Sequence, residues 1–121
     1  MHRRVDLIVP VPLHPKRLRW RGFNQSVLLA RQVSRAYDLP MDPFIVVRHK
    51  ETTPQTQLSE AERRRNVRGA FSLRSGKTLH GKTLLLVDDV YTSGATVNEC
   101  SRVLKQGGAK EVHVLTLARA I

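Results

Sequence analysis

One stretch, residues 82–96, limits what this chain can fold into more than any other. Leu84, Leu85, Leu86 and Val87 are four consecutive apolar residues, and Asp88 and Asp89 follow them directly. An uninterrupted run of this kind reads as a strand buried on both faces, in a parallel sheet with helices on each side. A strand is therefore predicted over residues 82–90. After it come Thr92, Ser93, Gly94, Ala95 and Thr96, all small, and then a helical pattern over about 96–106. Gly107 and Gly108 stand where a helix C-terminus needs a left-handed residue. A further strand over 112–117 completes a strand–helix–strand unit, whose two strands should run parallel. The expected fold class is α/β, a Rossmann-like and mostly parallel sheet flanked by helices.

The same stretch carries the chemistry. Asp88 and Asp89 emerge at the C-terminal edge of the sheet, where open α/β folds bind ligands. Two adjacent carboxylates in such a place are costly unless something cationic or hydroxyl-bearing satisfies them. The small side chains of the following loop let backbone N–H groups approach a ligand, and the helix N-terminus favours a phosphate. Carboxylates for sugar hydroxyls beside an anion cradle describe a ribose-phosphate site. The bland alternative is an incidental Asp-Asp turn followed by a capped helix.

The rest of the chain supplies the other elements. Residues 6–12 read as a buried strand closed by proline, and residues 13–22 as a strongly basic loop. A helix is predicted over 24–37, with Asn24 as its cap and Val27, Leu28, Ala30, Val33 and Ala36 near one face. Residues 44–48 are a strand candidate. Residues 49–57 are polar without hydrophobic period, which predicts an exposed loop. Ser59 and Glu62 have the spacing of a capping box, so a short helix should carry Arg63, Arg64 and Arg65. Residues 70–73 are a further strand candidate. With no repeat and no linker composition, residues 1–121 read as a single domain.

Charge is the unusual bulk property, a formal +11 at neutral pH. Residues 1–74 hold 15 Lys and Arg against 6 Asp and Glu, so most of the excess lies there. Such a surplus favours nucleotides, phosphorylated sugars or nucleic acid without choosing among them, and a merely solubilising basic surface is the alternative. The one cysteine, Cys100, excludes an internal disulfide and a multi-cysteine zinc site, and its place in a helical pattern makes it a packed side chain. No apolar run is long enough to span a membrane, and the first residues do not form a signal peptide, so a cytoplasmic location is expected.

Residues 84–96 resemble the PRPP-binding motif of type I phosphoribosyltransferases. By that resemblance Asp88 and Asp89 contact the ribose 2- and 3-hydroxyls, whose oxygens share a Mg²⁺, and Thr92, Ser93, Gly94, Ala95 and Thr96 wrap the 5-phosphate. The run VPVPLHPKRLRWRGFNQS at residues 9–26 resembles the first block of the ComF family, the competence and DNA-utilisation proteins of bacteria. Thr53, Gln55, Leu58, Arg63, Asn66, Val67 and Phe71 resemble its middle block. The likeness implies a pyrophosphate loop at Pro12, Leu13, His14, Pro15, Lys16 and Arg17. Lys16 and Arg17 would be the charge partners, and a mobile loop over 48–57 would include Arg48, Thr53 and Gln55. It also implies a departure. ComF-type proteins commonly carry a four-cysteine zinc module, whose cysteines this sequence lacks, and no base-selecting hood segment is identifiable.

Two functions of different class follow. One is PRPP binding with transfer of the phosphoribosyl group to an unidentified nitrogen acceptor and release of pyrophosphate. Catalytic residues are not identifiable, although His14 and His49 are weak acid–base candidates. The other is a non-catalytic factor that handles single-stranded DNA beside DNA-uptake proteins. Its candidate patch is Arg19, Trp20, Arg21, Arg63, Arg64 and Arg65, with Trp20 stacking on a base.

Overall fold

The computed structural model describes residues 4–13, 24–49, 59–74, 78–91 and 94–119. In chain order the elements are β1 (Leu7–Pro10), α1 (Gln25–Tyr37), β2 (Val46–Arg48), α2 (Glu60–Val67), β3 (Phe71–Leu73), β4 (Thr83–Tyr91), α3 (Ala95–Gln106) and β5 (Glu111–Arg119). The apolar run 84–87 sits at the middle of a three-stranded sheet ordered β1-β4-β5. Both pairings are parallel, with Leu7 opposite Leu84 and Leu84 opposite Val112. Met41 adds one parallel bridge to Ile8 on the far side of β1.

The pleat of β4 divides the core. Leu84 and Leu86 belong to one cluster with Val97, Cys100, Val103 and Leu104 of α3. Leu85 and Val87 belong to another with Ile8 and with Leu29, Ala30 and Val33 of α1. Alternation along a strand puts successive side chains on opposite faces, so both faces of β4 are covered, as its composition requires. Cys100 is fully buried, and burial pushes its thiol pKa up, as a packed side chain should behave.

β2 and β3 form a separate antiparallel ribbon, Val46 opposite Leu73 and Arg48 opposite Phe71. Val46, Phe71 and Val67 nonetheless pack into the α3-side cluster. The strand expected over 44–48 is thus shorter and pairs outside the parallel sheet. Arg48 ends β2, as the strand candidate over 44–48 has it, and so is not part of the mobile loop that the resemblance implies. Thr53 and Gln55, with the rest of that loop beyond His49, lie outside the described residues.

α1 differs from expectation in its buried face. Ser26 and Ala30 are its buried residues, with Leu29 and Val33 packed beside Ala30, while Leu28 and Ala36 are exposed. Gly108, with φ 106°, adopts the left-handed conformation after α3, and a Cβ there would press on the His80 backbone at 3.2 Å. Among the described residues no helix is long and apolar enough to cross a membrane.

Candidate functional site

β1 and β4 part company at their C-terminal ends, and the site is built in the gap. The Val11 N–H still donates to the Val87 carbonyl at 2.8 Å, continuing the ladder one residue past β1. The next β4 donor on that edge is the Asp89 N–H, and it finds the Ser26 Oγ at 3.1 Å. Ser26 stands in the first turn of α1. That turn is held by Asn24, whose side chain accepts from the Ser26 N–H at 2.9 Å and donates from Nδ2 to the Val11 carbonyl at 3.2 Å. One capping residue therefore ties the start of α1 to the chain leaving β1.

Asp88 and Asp89 meet at the same hydroxyl. Ser26 Oγ lies 3.3 Å from Asp88 Oδ1 and 3.4 Å from Asp89 Oδ1. Asp88 is 9% exposed and Asp89 half-buried. Among the described residues neither makes an ion pair. Burial, and then the charge of Asp89 beside it, push the Asp88 carboxyl pKa up to about 7, with the Ser26 hydrogen bond opposing the rise. The pair thus holds electrostatic strain that a cation or the hydroxyls of a ligand would relieve.

The sequence also expects Thr92 and Ser93 at this site, and both lie outside the described residues. Gly94 is buried at φ 85° and caps α3 with no side chain of its own, and the first turn of α3 contains no acidic residue. Ala95 and Thr96 open that turn, at the positive end of the helix dipole. Three of the five expected phosphate-loop residues are accordingly at one helix N-terminus.

Other candidates are distributed more widely. Pro12 and Leu13 leave β1 beside α1 and help line a cavity of about 490 Å³ with Arg48 and Arg74. His14, Pro15, Lys16 and Arg17 lie outside the described residues, as do Arg19, Trp20 and Arg21. The Arg48 guanidinium lies 5.1 Å from the centre of the Phe71 ring, and its Nη1 donates to the Pro12 carbonyl at 3.5 Å. It joins the ribbon to the start of the expected pyrophosphate loop. His49 hydrogen-bonds Ser72 across the ribbon and is exposed.

Arg63, Arg64 and Arg65 all sit on α2, whose capping box of Ser59 and Glu62 is formed. Arg64 pairs with Glu60 at 2.8 Å, and hydrogen bonds from Ser59 hold the Glu62 pKa down. Glu99 of α3 accepts from the Gly69 N–H at 3.0 Å and from Arg102 at 2.7 Å, which clamps the end of α2 to α3. Ser26 was missed as a site residue because polar residues on an apolar-patterned helix read as solvent-facing. Its place in the run 9–26 beside the Asn24 cap was the available signal.

Comparison with known proteins shows the family to which this fold and sequence belong. The sequence profile described as "Phosphoribosyl transferase domain" matches residues 24–121. The chain belongs to the phosphoribosyl transferase domain family. It is 45% identical over 116 residues to Competence protein F of Haemophilus influenzae, covering 95% of this chain and 51% of that protein. It is 40% identical to the DNA utilization protein YhgH of Escherichia coli, covering 96% of this chain and 50% of that one. The chain thus spans about half the length of these relatives, and the ComF resemblance is supported along the part they share. Among solved structures it resembles a glutamine PRPP amidotransferase from B. subtilis, with TM-score 0.63 and 25% identity over 95% of this chain and 23% of that one. A purine phosphoribosyltransferase from Pyrococcus horikoshii shares the fold, with TM-score 0.58 and 21% identity over 95% of this chain and 62% of that one.

Proposed function

We propose that the end of β4 and the N-terminus of α3 bind PRPP, with Asp88 and Asp89 holding the ribose 2- and 3-hydroxyls and residues 92–96 the 5-phosphate. The observation that carries this reading is the strained acid pair at the β4 edge, directly before a helix that begins at Gly94 with no side-chain cap. Mg²⁺ bound with the substrate would offset the negative charge of the diphosphate and of the acid pair. Two carboxylates suit an ion that takes most of its ligands from phosphate and water.

Pyrophosphate leaves C1 with the bonding electrons while an acceptor nitrogen forms the new bond to C1. Lys16 and Arg17 are the proposed stabilisers of the leaving charge. No side chain is assigned as acid or base, and the acceptor is a nitrogen nucleophile of unspecified class. The double variant Asp88→Asn with Asp89→Asn is expected to weaken PRPP binding by about 100-fold or more, as loss of two charge-assisted contacts implies. Unchanged binding in that folded variant would remove the assignment.

A second reading is favoured by the names of the relatives together with the basic excess of residues 1–74. In it the chain also engages single-stranded DNA, using Arg19, Trp20 and Arg21 with the α2 arginines. The Glu60 pairing leaves Arg64 a weaker contributor than its charge alone implies. Binding that falls steeply with added salt would support this reading, and no binding at low salt would end it.

A further inference from the structure

We infer that Ser26 is a positioning residue that makes the acid pair selective for a cis-vicinal diol. The inference rests on the ribose-phosphate reading of the site and adds a specificity determinant to it. Ser26 is 3% exposed and has no route to solvent of its own. Its oxygen is already engaged as acceptor by the Asp89 N–H at 3.1 Å. Its single proton then faces two acceptors, Asp88 Oδ1 at 3.3 Å and Asp89 Oδ1 at 3.4 Å. Both contacts are longer than an ordinary hydroxyl–carboxylate bond, so neither acceptor alone commands the proton.

The consequence is geometric. Alternation along β4 would send Asp88 toward the α3 face and Asp89 toward the α1 face, so the two carboxylates would ordinarily diverge. Ser26 instead draws one oxygen of each to a common point on the protein side. Once Asp88 has released its proton, each carboxylate has a second oxygen to offer, and the two would serve as acceptors for two neighbouring hydroxyls. Ser26 is itself fixed by the Asn24 cap and the buried start of α1, so the spacing is set before ligand arrives. A sugar phosphate with both hydroxyls uses both acceptors, whereas a 2-deoxy sugar leaves one carboxylate oxygen without its partner. That is the situation in which a built polar site discriminates most strongly.

The test compares ribose 5-phosphate with 2-deoxyribose 5-phosphate in the presence of Mg²⁺, by calorimetry on the full chain. The wild type should prefer the ribo compound by about tenfold or more, the equivalent of one good hydrogen bond to a charged group. Ser26→Ala should narrow that preference to about threefold or less while circular dichroism shows an intact fold. Ser26→Thr, which keeps the hydroxyl, should restore it. Should the alanine variant not fold, Ser26→Cys keeps the volume with a poor donor, and the same narrowing is expected. A wild-type ratio retained in Ser26→Ala or Ser26→Cys would overturn the role of Ser26 alone. No binding of either sugar phosphate to the wild type would overturn the site reading and this inference together.

Discussion

At the end of β4, two carboxylates stand among buried side chains, whereas the α2 helix carries its charges in water. The two regions lie on either side of the α3 N-terminus and are stabilised in opposite ways. β4 and α3 are held by fully buried Leu84, Leu86, Cys100 and Leu104, and that packing tolerates a carboxyl whose pKa is raised to about 7. α2 buries only Val67 and depends on its capping box, a Glu60–Arg64 pair and the Glu99 clamp. Unfavourable charge held in the absence of a ligand needs a rigid, apolar support, and the fold provides it beneath the proposed site. A surface helix without an apolar stripe can add contacts but cannot bear that load.

Four substitutions sharpen this contrast, from the largest expected effect to the smallest. Leu86→Ala removes a fully buried side chain beneath Asp88 and should cost about 3 kcal/mol in denaturant unfolding. A loss below about 1 kcal/mol would mean that the support is softer than its burial indicates.

Asp88→Asn should act in the other direction. The folded-state pKa is raised from 3.8 to about 7, so between these values the folded protein keeps a proton that the unfolded chain has released. Stability of the ligand-free wild type therefore falls as pH rises through that window and is lowest above it. Asparagine carries no such charge, so the variant should be more stable than wild type at pH 8 and lose that advantage near pH 4. Unfolding curves across pH check both the sign and the window. A parallel pH dependence in the variant would show that Asp88 is not the strained group.

Ser59→Ala removes the α2 cap and should cost about 1 kcal/mol of local helix stability. Amide exchange should quicken at Glu62 and Arg63 while the β4 amides keep their protection. Protection lost equally in β4 would join the two regions into one cooperative unit and break the comparison. Glu60→Ala should change stability by no more than about 0.5 kcal/mol, because both partners of the Glu60–Arg64 pair are well exposed at 68% and 65%. Its clearer consequence would be a modest gain in affinity for any polyanion that uses Arg64.

The contrast also explains what could be read from the chain. The run 84–87 announces the central strand because burial on both faces leaves no polar position in it, and Gly107 with Gly108 announces the end of α3. Asp88 and Asp89 stand out as a candidate site because no structural need places two carboxylates there. Ser26 was not legible. Its burial answers the Asp89 N–H, which is orphaned only because β1 turns away after Val11, and that divergence is a tertiary fact. The same displacement explains Leu28 and Ala36, expected on the packed face of α1 and found exposed, since the helix turns to present Ser26 and Ala30. The ribbon was legible only in part. The strand candidates over 44–48 and 70–73 contain β2 and β3, Arg48 included, but with three residues each nothing local signals that the two pair antiparallel outside the parallel sheet.

Whether the end of β4 takes up a phosphoribosyl ligand is read most directly by calorimetric titration of PRPP into the purified chain with and without Mg²⁺. Binding should require Mg²⁺ and strengthen from pH 6 to pH 8 as Asp88 gives up its proton, a window set by its pKa of about 7. A folded chain that takes up no PRPP at millimolar concentration with Mg²⁺ present would contradict the proposed site.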